Sequence, residues 1–273
     1  MKINGKEIAK KIYQSINVKG KKLTIILATK DTSSVKYSYL KKQKGEEIGA
    51  IVNILEIRED KNELIEKISD LNHSDTTGII IQLPLHLSLL SYTEEILETI
   101  SPKKDVDGLT SYSLANTFNY SSNKIIPATV KAVIKILEEI VLIEQVEMNS
   151  FLKSKNVLII NNSNLIGKPL ANILSQYDST VILANKYTPN IKELLKVADI
   201  IVSATGKGSL FRAEDIKNNS VVIDVTSVIE SDKLLGDFVH NDLLIEKTKY
   251  LTPVPGGVGP VTIASLFENL SLL

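Results

Sequence analysis

Three side chains near the start of the chain have the types and spacing to do chemistry together. In Ser34-Val35-Lys36-Tyr37-Ser38-Tyr39-Leu40-Lys41, the residues Ser34, Tyr37 and Lys41 stand three and four apart, so on a helix they share one face. A phenol beside an amine can bind a planar substrate and move a proton. The competing reading is a solvated basic face, because Lys36, Lys42 and Lys44 lie in the same stretch. Further on, Gln82-Leu83-Pro84-Leu85 follows the apolar run Gly78-Ile79-Ile80-Ile81. If that run is a parallel strand, the Gln82 amide emerges where such a strand meets its ligand, and Pro84 ends the strand there. Lys104-Asp105-Val106-Asp107-Gly108 places two carboxylates in a turn. Such a turn is either solvated or holds a cation, but two carboxylates without further ligands make a poor metal site, and no metal is expected.

A second group of residues suggests a nucleotide. Asn161-Asn162-Ser163-Asn164-Leu165-Ile166-Gly167-Lys168-Pro169 lies between a strand and a helix, where free amides and a helix N-terminus bind phosphate. It lacks G-x-G-x-x-G, and Asn161 stands where a left-handed residue is tolerable. Ala204-Thr205-Gly206 closes a later strand and can pack against a cofactor. After the second strand of this half comes Asn185-Lys186, with none of the carboxylate that holds the ribose hydroxyls of NAD. Lys186 can instead serve as a point charge for a 2′-phosphate, with Ser163 and Asn162 donating hydrogen bonds, or it is merely solvated. If the nucleotide is a nicotinamide dinucleotide, this pattern favours NADP, with NAD the alternative. Near the C-terminus, Thr252-Pro253-Val254-Pro255-Gly256-Gly257-Val258-Gly259-Pro260 combines fixed φ with permissive glycines. It reads as a shaped backbone surface at a cleft edge, or equally as a rigid turn.

These residues need elements to position them, and the pattern supplies two sets. Helical periodicity over 5–17, 34–48, 61–72 and 92–100 alternates with strands at 23–28, 52–57 and 78–82, a rhythm that implies a parallel sheet with crossover helices. After a polar stretch at 119–124 and a long helix over 129–143, the pattern restarts. Strands are expected at 156–160, 180–183, 199–204, 221–225 and 250–251, with helices at 168–177 and 190–197, as a doubly wound unit. A last helix follows, with Pro260 suited to its first position.

Composition narrows the function classes. The 273 residues are 43% apolar and 23% charged, with 32 basic against 32 acidic side chains, so nothing draws the chain to nucleic acid or an anionic membrane. The absence of cysteine excludes disulfides, thiolate zinc sites and cysteine nucleophiles. The three histidines, His73, His86 and His240, are scattered. The balanced charge makes a small molecule the default partner, and charges in Met1-Lys2-Ile3-Asn4-Gly5-Lys6-Glu7 with the lack of a long apolar run argue for the cytoplasm.

Taken in order, the motifs Ser34-x-x-Tyr37-x-x-x-Lys41, Gln82-Leu83-Pro84-Leu85, Lys104-Asp105-Val106-Asp107-Gly108, Ile166-Gly167-Lys168-Pro169 and Thr252 to Pro260 resemble one family. It is the bifunctional methylenetetrahydrofolate dehydrogenase/methenyltetrahydrofolate cyclohydrolases, and the resemblance runs from Asn4-Gly5-Lys6 to the last helix. The resemblance implies a two-domain α/β fold: a folate-binding catalytic domain over 1–122, completed by a C-terminal helix in 256–273, and a Rossmann-type nucleotide domain over 123–255. It implies a folate cleft between the two, tetrahydrofolate derivatives as substrates, and a homodimer. By the same resemblance Lys41 is the principal catalytic residue, Tyr37 packs along the folate, Gln82 positions Lys41, and Asp107 holds the pterin. Ser34, Pro84, Pro255, Gly256 and Gly257 complete the substrate side; Asn161, Asn162, Ser163, Gly167, Lys186, Thr205, Gly206 and Ser227 form the cofactor side.

Departures from the family pattern gather in the nucleotide half. Asn161-Asn162-Ser163 stands where many members have Gly-Arg-Ser, Asn185-Lys186 replaces His-Ser, and Thr226-Ser227-Val228 replaces Gly-Ile-Asn. Pro127-Ala128-Thr129-Val130 replaces Pro-Cys-Thr-Pro. A second expectation is thus a cyclohydrolase whose hydride transfer is weak or lost. A third is a non-catalytic folate or dinucleotide binder, against which the joint presence of Tyr37, Lys41, Gln82 and Asp107 argues.

Overall fold

The structure is a computed structural model that describes every residue except 231 and 232. It divides into two compact units, the first comprising Ile12–Asn116, Tyr120–Ala128 and Ile263–Leu273, the second Met1–Lys11, Thr117–Asn119 and Thr129–Thr262. Both are α/β with parallel sheets.

In the first unit, β1 (Lys22–Leu27), β2 (Ile51–Glu56) and β3 (Gly78–Ile81) form a parallel sheet of order β2-β1-β3. Because β1 is central and both faces are covered, its residues from Leu23 to Leu27 are all buried, giving a continuous apolar run instead of alternation. One face packs Leu23, Ile25 and Ile80 against Phe267 and Leu270 of the Val258–Leu272 helix. The other packs Ile26, Ile79 and Ile81 against Leu64, Ile68 and Ile96.

The Thr32–Glu47 helix begins two residues earlier than its apolar pattern indicates, because Asp31 caps it and accepts the Ser34 N–H at 2.7 Å. This helix comes unusually close to its neighbours at Gly45, where a Cβ would stand 2.5 Å from Val52 Cγ2 and 2.6 Å from the Phe267 ring. Gly45→Ala should therefore destabilise the protein by about 1–3 kcal/mol through overpacking, despite alanine's better helix propensity. Urea unfolding of the purified variant checks this.

In the second unit, β4 (Asn156–Ile160), β5 (Thr180–Ala184), β6 (Ile200–Ser203), β7 (Ser220–Asp224) and β10 (Thr248–Leu251) form a parallel sheet of order β10-β7-β6-β4-β5. A short antiparallel pair, β8 (Val228–Glu230) and β9 (Lys233–Leu235), stands apart from it. Counted along the chain, the parallel strands run 2-1-3-4-5, an order whose switch point falls between β4 and β6. Met1–Lys11 pack with this unit: Ile3 N–H donates to Leu251 O at 2.9 Å, and Gly5 N–H to Gly256 O at 3.0 Å.

Pro260 is the third residue of the last helix, not the first; its missing N–H still costs nothing, because the first-turn donors have no intrahelical partners. The short helices Ser111–Ala115, Met148–Leu152 and Asp242–Lys247 were not foreshadowed by periodicity, since five or six residues barely complete one turn.

Candidate active site

One face of the Thr32–Glu47 helix carries Ser34, Ser38, Lys41 and Gly45, all buried, with Tyr37 half-buried beside them. Lys41 is only 4% exposed, yet its Nζ donates to Gln82 Oε1 at 3.0 Å. Gln82 stands just past the end of β3, where its N–H still donates to Ile26 O at 2.9 Å. Its side chain has only one consistent orientation. Nε2 donates to Leu83 O at 2.8 Å, which turns Oε1 toward the amine and toward Ser38 Oγ at 3.3 Å. Ser34 Oγ also donates to Leu83 O, at 3.4 Å, and exposed Pro84 follows a cis Leu83–Pro84 bond.

The two carboxylates of the acidic turn have separate fates. Asp105 is 1% exposed, and its oxygens accept from the N–H groups of Gly108, Leu109 and Thr110 and from Thr110 Oγ1, all between 2.8 and 3.1 Å. It is fully engaged in closing the turn. Asp107 is half-buried and faces Lys41 and Tyr37 electrostatically. Burial raises its pKa, opposed by the Lys41 charge. Burial lowers the Lys41 pKa below the ordinary lysine value, with Asp107 pulling the other way. The Tyr37 phenol is pushed up, first by burial and then by Asp107, so it stays protonated. The Lys41 Nζ lies 5.1 Å from the Tyr37 ring centroid, close enough for a cation–π contact in its charged form. A buried amine whose protonation is disfavoured, held by an amide and flanked by a phenol and a carboxylate, is an arrangement suited to proton transfer.

At the carboxyl edge of the second unit's sheet, the expected phosphate turn differs from its sequence reading. Asn161 Oδ1 accepts from Ser163 N–H at 2.8 Å, Ser163 Oγ at 2.7 Å and Gly167 N–H at 3.2 Å, and Ile166 N–H donates to Ser163 Oγ at 3.2 Å. Three of the amides expected to be free, those of Ser163, Ile166 and Gly167, are thus engaged within the turn, and Asn161 does not take a positive φ. Its Nδ2 reaches across the switch point to Ala204 O at 2.8 Å. Asn162 and Ser227 are exposed, as is Lys186, whose Nζ sits 4.9 Å from the Tyr187 ring centroid. Gly206, at φ +70°, has nothing within 4 Å of where a Cβ would stand. Pro255 is exposed after a cis Val254–Pro255 bond, and Gly256 takes φ +97°. Gly257 is buried under Pro253 O, which a Cβ would meet at 2.5 Å.

Profiles of two domains match the chain: the tetrahydrofolate dehydrogenase/cyclohydrolase catalytic domain over residues 3–107, and the corresponding NAD(P)-binding domain over 127–272. The chain belongs to the tetrahydrofolate dehydrogenase/cyclohydrolase family. Among its relatives, the bifunctional protein FolD of a Hydrogenobaculum species is 36% identical over 98% of this chain and 96% of its own length. The bifunctional FolD methylenetetrahydrofolate dehydrogenase/cyclohydrolase of Campylobacter jejuni superposes with a TM-score of 0.87 at 31% identity, covering 99% of this chain and 97% of its own. The Trypanosoma brucei enzyme, solved with NADP and an inhibitor, gives 0.87 at 29% identity, covering 100% and 96%.

For this member of the tetrahydrofolate dehydrogenase/cyclohydrolase family, the sequence motifs divide by what the fold does with them. Ser34, Tyr37, Lys41, Gln82 and Asp107 come together in the first unit. Asn161, Ser163, Gly167, Thr205 and Gly206 lie around the ends of β4 and β6 in the second. The open face of Gly206 and the exposed Asn162 and Lys186 at the strand ends fit a nicotinamide dinucleotide. Sequence reading passed over Ser38, although it sits four residues after Ser34 on the same face; that offset was the available signal. It also passed over Asp237, which no local pattern marks. A separate cavity of about 720 Å³, whose lining includes Leu27, Lys30, Val35, Arg58 and Glu59, does not include Lys41, Tyr37, Gln82 or Asp107.

Proposed function

We propose that the chain interconverts 5,10-methylene-, 5,10-methenyl- and 10-formyltetrahydrofolate, with NADP as hydride acceptor and Lys41 as the catalytic amine. The observation that carries this reading is Lys41 itself, buried yet bonded to Gln82 at 3.0 Å beside Asp107. Held at the ends of β4 and β6 by Asn162, Ser163, Lys186 and the Gly206 turn, NADP would supply the acceptor for a hydride lost from the substrate's methylene bridge, which becomes a methenyl cation. Water then adds to that carbon, and neutral Lys41 accepts the proton it sheds. As the bond from carbon to N5 opens, the new hydroxyl loses a proton and N5 gains one, so hydrolysis releases one proton overall. Tyr37 lies along the folate, Gln82 holds the amine in line, and Asp107 accepts hydrogen bonds from the amino-pyrimidinone edge of the pterin. Loss of methenyl absorbance and gain of reduced-cofactor absorbance, measured with NADP and with NAD, test both halves.

A second reading, a cyclohydrolase with weak hydride transfer, is favoured by the self-satisfied Asn161 turn, which leaves fewer amides for a pyrophosphate. Methenyl hydrolysis without reduction of either cofactor would select it. A homodimer is proposed on the resemblance, and light scattering checks it; the cytoplasm is proposed on the composition and the charges of the first residues. No helix among the described residues is long and apolar enough to cross a membrane.

Cofactor choice rests on Lys186. Lys186→Glu should raise the Michaelis constant for NADP by about tenfold or more, the loss of one charge-assisted contact, while leaving that for NAD similar or improved. An equal effect on both cofactors would refute the 2′-phosphate role.

A further inference from the structure

Two buried carboxylates, Asp224 (1% exposed) and Asp237 (0%), stand side by side beneath the carboxyl edge of the second unit's sheet. Asp224 ends β7 and accepts from the N–H groups of Asp237 and Phe238 at 3.0 and 2.9 Å, with His240 Nε2 at 3.2 Å from Oδ2. Its own N–H donates to Thr252 Oγ1 at 2.8 Å, at the start of the Pro/Gly segment. Asp237 points the other way. It accepts from Ser203 Oγ at 2.5 Å, Thr205 N–H at 2.8 Å and Thr205 Oγ1 at 2.6 Å.

Two of these bonds are donated by Thr205 of the Ala204-Thr205-Gly206 turn, which leaves β6 at the switch point. Every residue of it is held from below or from the side. Asn161 Nδ2 donates to Ala204 O, Asp237 takes both donors of Thr205, and Gly206 N–H donates to Thr226 Oγ1 at 3.0 Å. What remains unobstructed is the Cα face of Gly206, the surface that a bound ring would approach. Packing alone does not call for a charged group at this place, and burying one is unfavourable unless it is fully hydrogen-bonded.

We infer that Asp237 is a positioning residue for the dinucleotide, acting through Ser203 and Thr205 to fix the 204–206 turn against which the cofactor binds. The inference rests on the proposed NADP-dependent reading. Three donors converge on one carboxylate, Ser203 Oγ and Thr205 N–H on Oδ2 and Thr205 Oγ1 on Oδ1. Asn can keep the Oδ2 pair but turns its NH₂ toward Thr205 Oγ1, which must reverse from donor to acceptor, and the charge that strengthens all three bonds is lost. The cyclohydrolase step needs no cofactor and uses residues of the first unit, so it serves as an internal control.

The test titrates NADPH by fluorescence with the parent, Asp237→Asn and Ser203→Ala, and measures the Michaelis constant for NADP, dehydrogenase turnover and methenyl hydrolysis in each. For Asp237→Asn we expect NADPH affinity to fall about tenfold, with Ser203→Ala intermediate and methenyl hydrolysis within about twofold of the parent in both. If Asp237→Asn does not fold, Ser203→Ala decides by the same comparison. Parental NADPH affinity in the folded variants, or parallel loss of hydrolysis and cofactor binding, overturns the positioning role alone. A parent that binds neither NADPH nor NADH overturns the functional reading and this inference together.

Discussion

Replacing Lys41 with methionine should abolish hydrolysis of methenyltetrahydrofolate, lowering the rate by about a thousandfold or more, within the range general acid–base groups supply. Methionine keeps the apolar stem and leaves Gln82 Oε1 with its contact to Ser38, so the site should stay assembled. The fold should not suffer. A buried lysine whose pKa is lowered binds its proton more weakly folded than unfolded, so below that folded value it opposes folding, and the opposition fades as pH rises toward 10.5. Lys41→Met should therefore melt no lower than the parent at neutral pH, with any advantage shrinking toward pH 10. On the proposed role of the neutral amine as proton acceptor, parent activity should fall as pH drops through the lowered Lys41 pKa, placing that limb below the ordinary lysine range. A folded Lys41→Met enzyme that hydrolyses the methenyl substrate at the parent rate would remove lysine from the mechanism.

Asp107→Ala should weaken folate binding by about 2 kcal/mol or more, the cost of losing charge-assisted hydrogen bonds, with little effect on folding. Asp105→Ala should do the reverse. It strips four acceptor contacts from a buried turn, so its principal effect is a lowered melting temperature. Asp107 also raises the Lys41 pKa, so Asp107→Asn should move the acid limb of the pH profile to lower pH. Calorimetry with a folate ligand and thermal melts of both variants separate the two roles. Equal folate affinity for the parent and Asp107→Ala would place the pterin elsewhere.

Much of this was legible from the chain because the signals were local. The isoleucine run at Gly78–Ile81 reads as a buried strand, and the offsets of Ser34, Tyr37 and Lys41 put them on one face before any packing is known. Spacing did not separate the two aspartates of the acidic turn, since it does not tell which carboxylate turns inward to cap the backbone and which stays open; only the family resemblance singled out Asp107. The Asn161 turn was read as a set of free amides because its partners are side chains a few residues away whose direction no periodicity encodes. Asp237 was invisible for a related reason: its partners lie 32 and 34 residues earlier in the chain.

Asn269, fully buried, donates to Val106 O and Ile126 O at 2.9 Å each, bonds that span 163 and 143 residues. Beside it, Ile263, Leu266, Phe267 and Leu270 complete the core over Leu23 and Ile25. Contacts of such separation are slow to form and cannot begin until the later partner exists. On the ribosome, the strands that position Gln82 are made early but must wait, one face uncovered, until residues 263–270 have been synthesised. The turn that carries Asp107 is secured only after Asn269 has been made, so the Lys41 site is completed long after its own strands and helix exist.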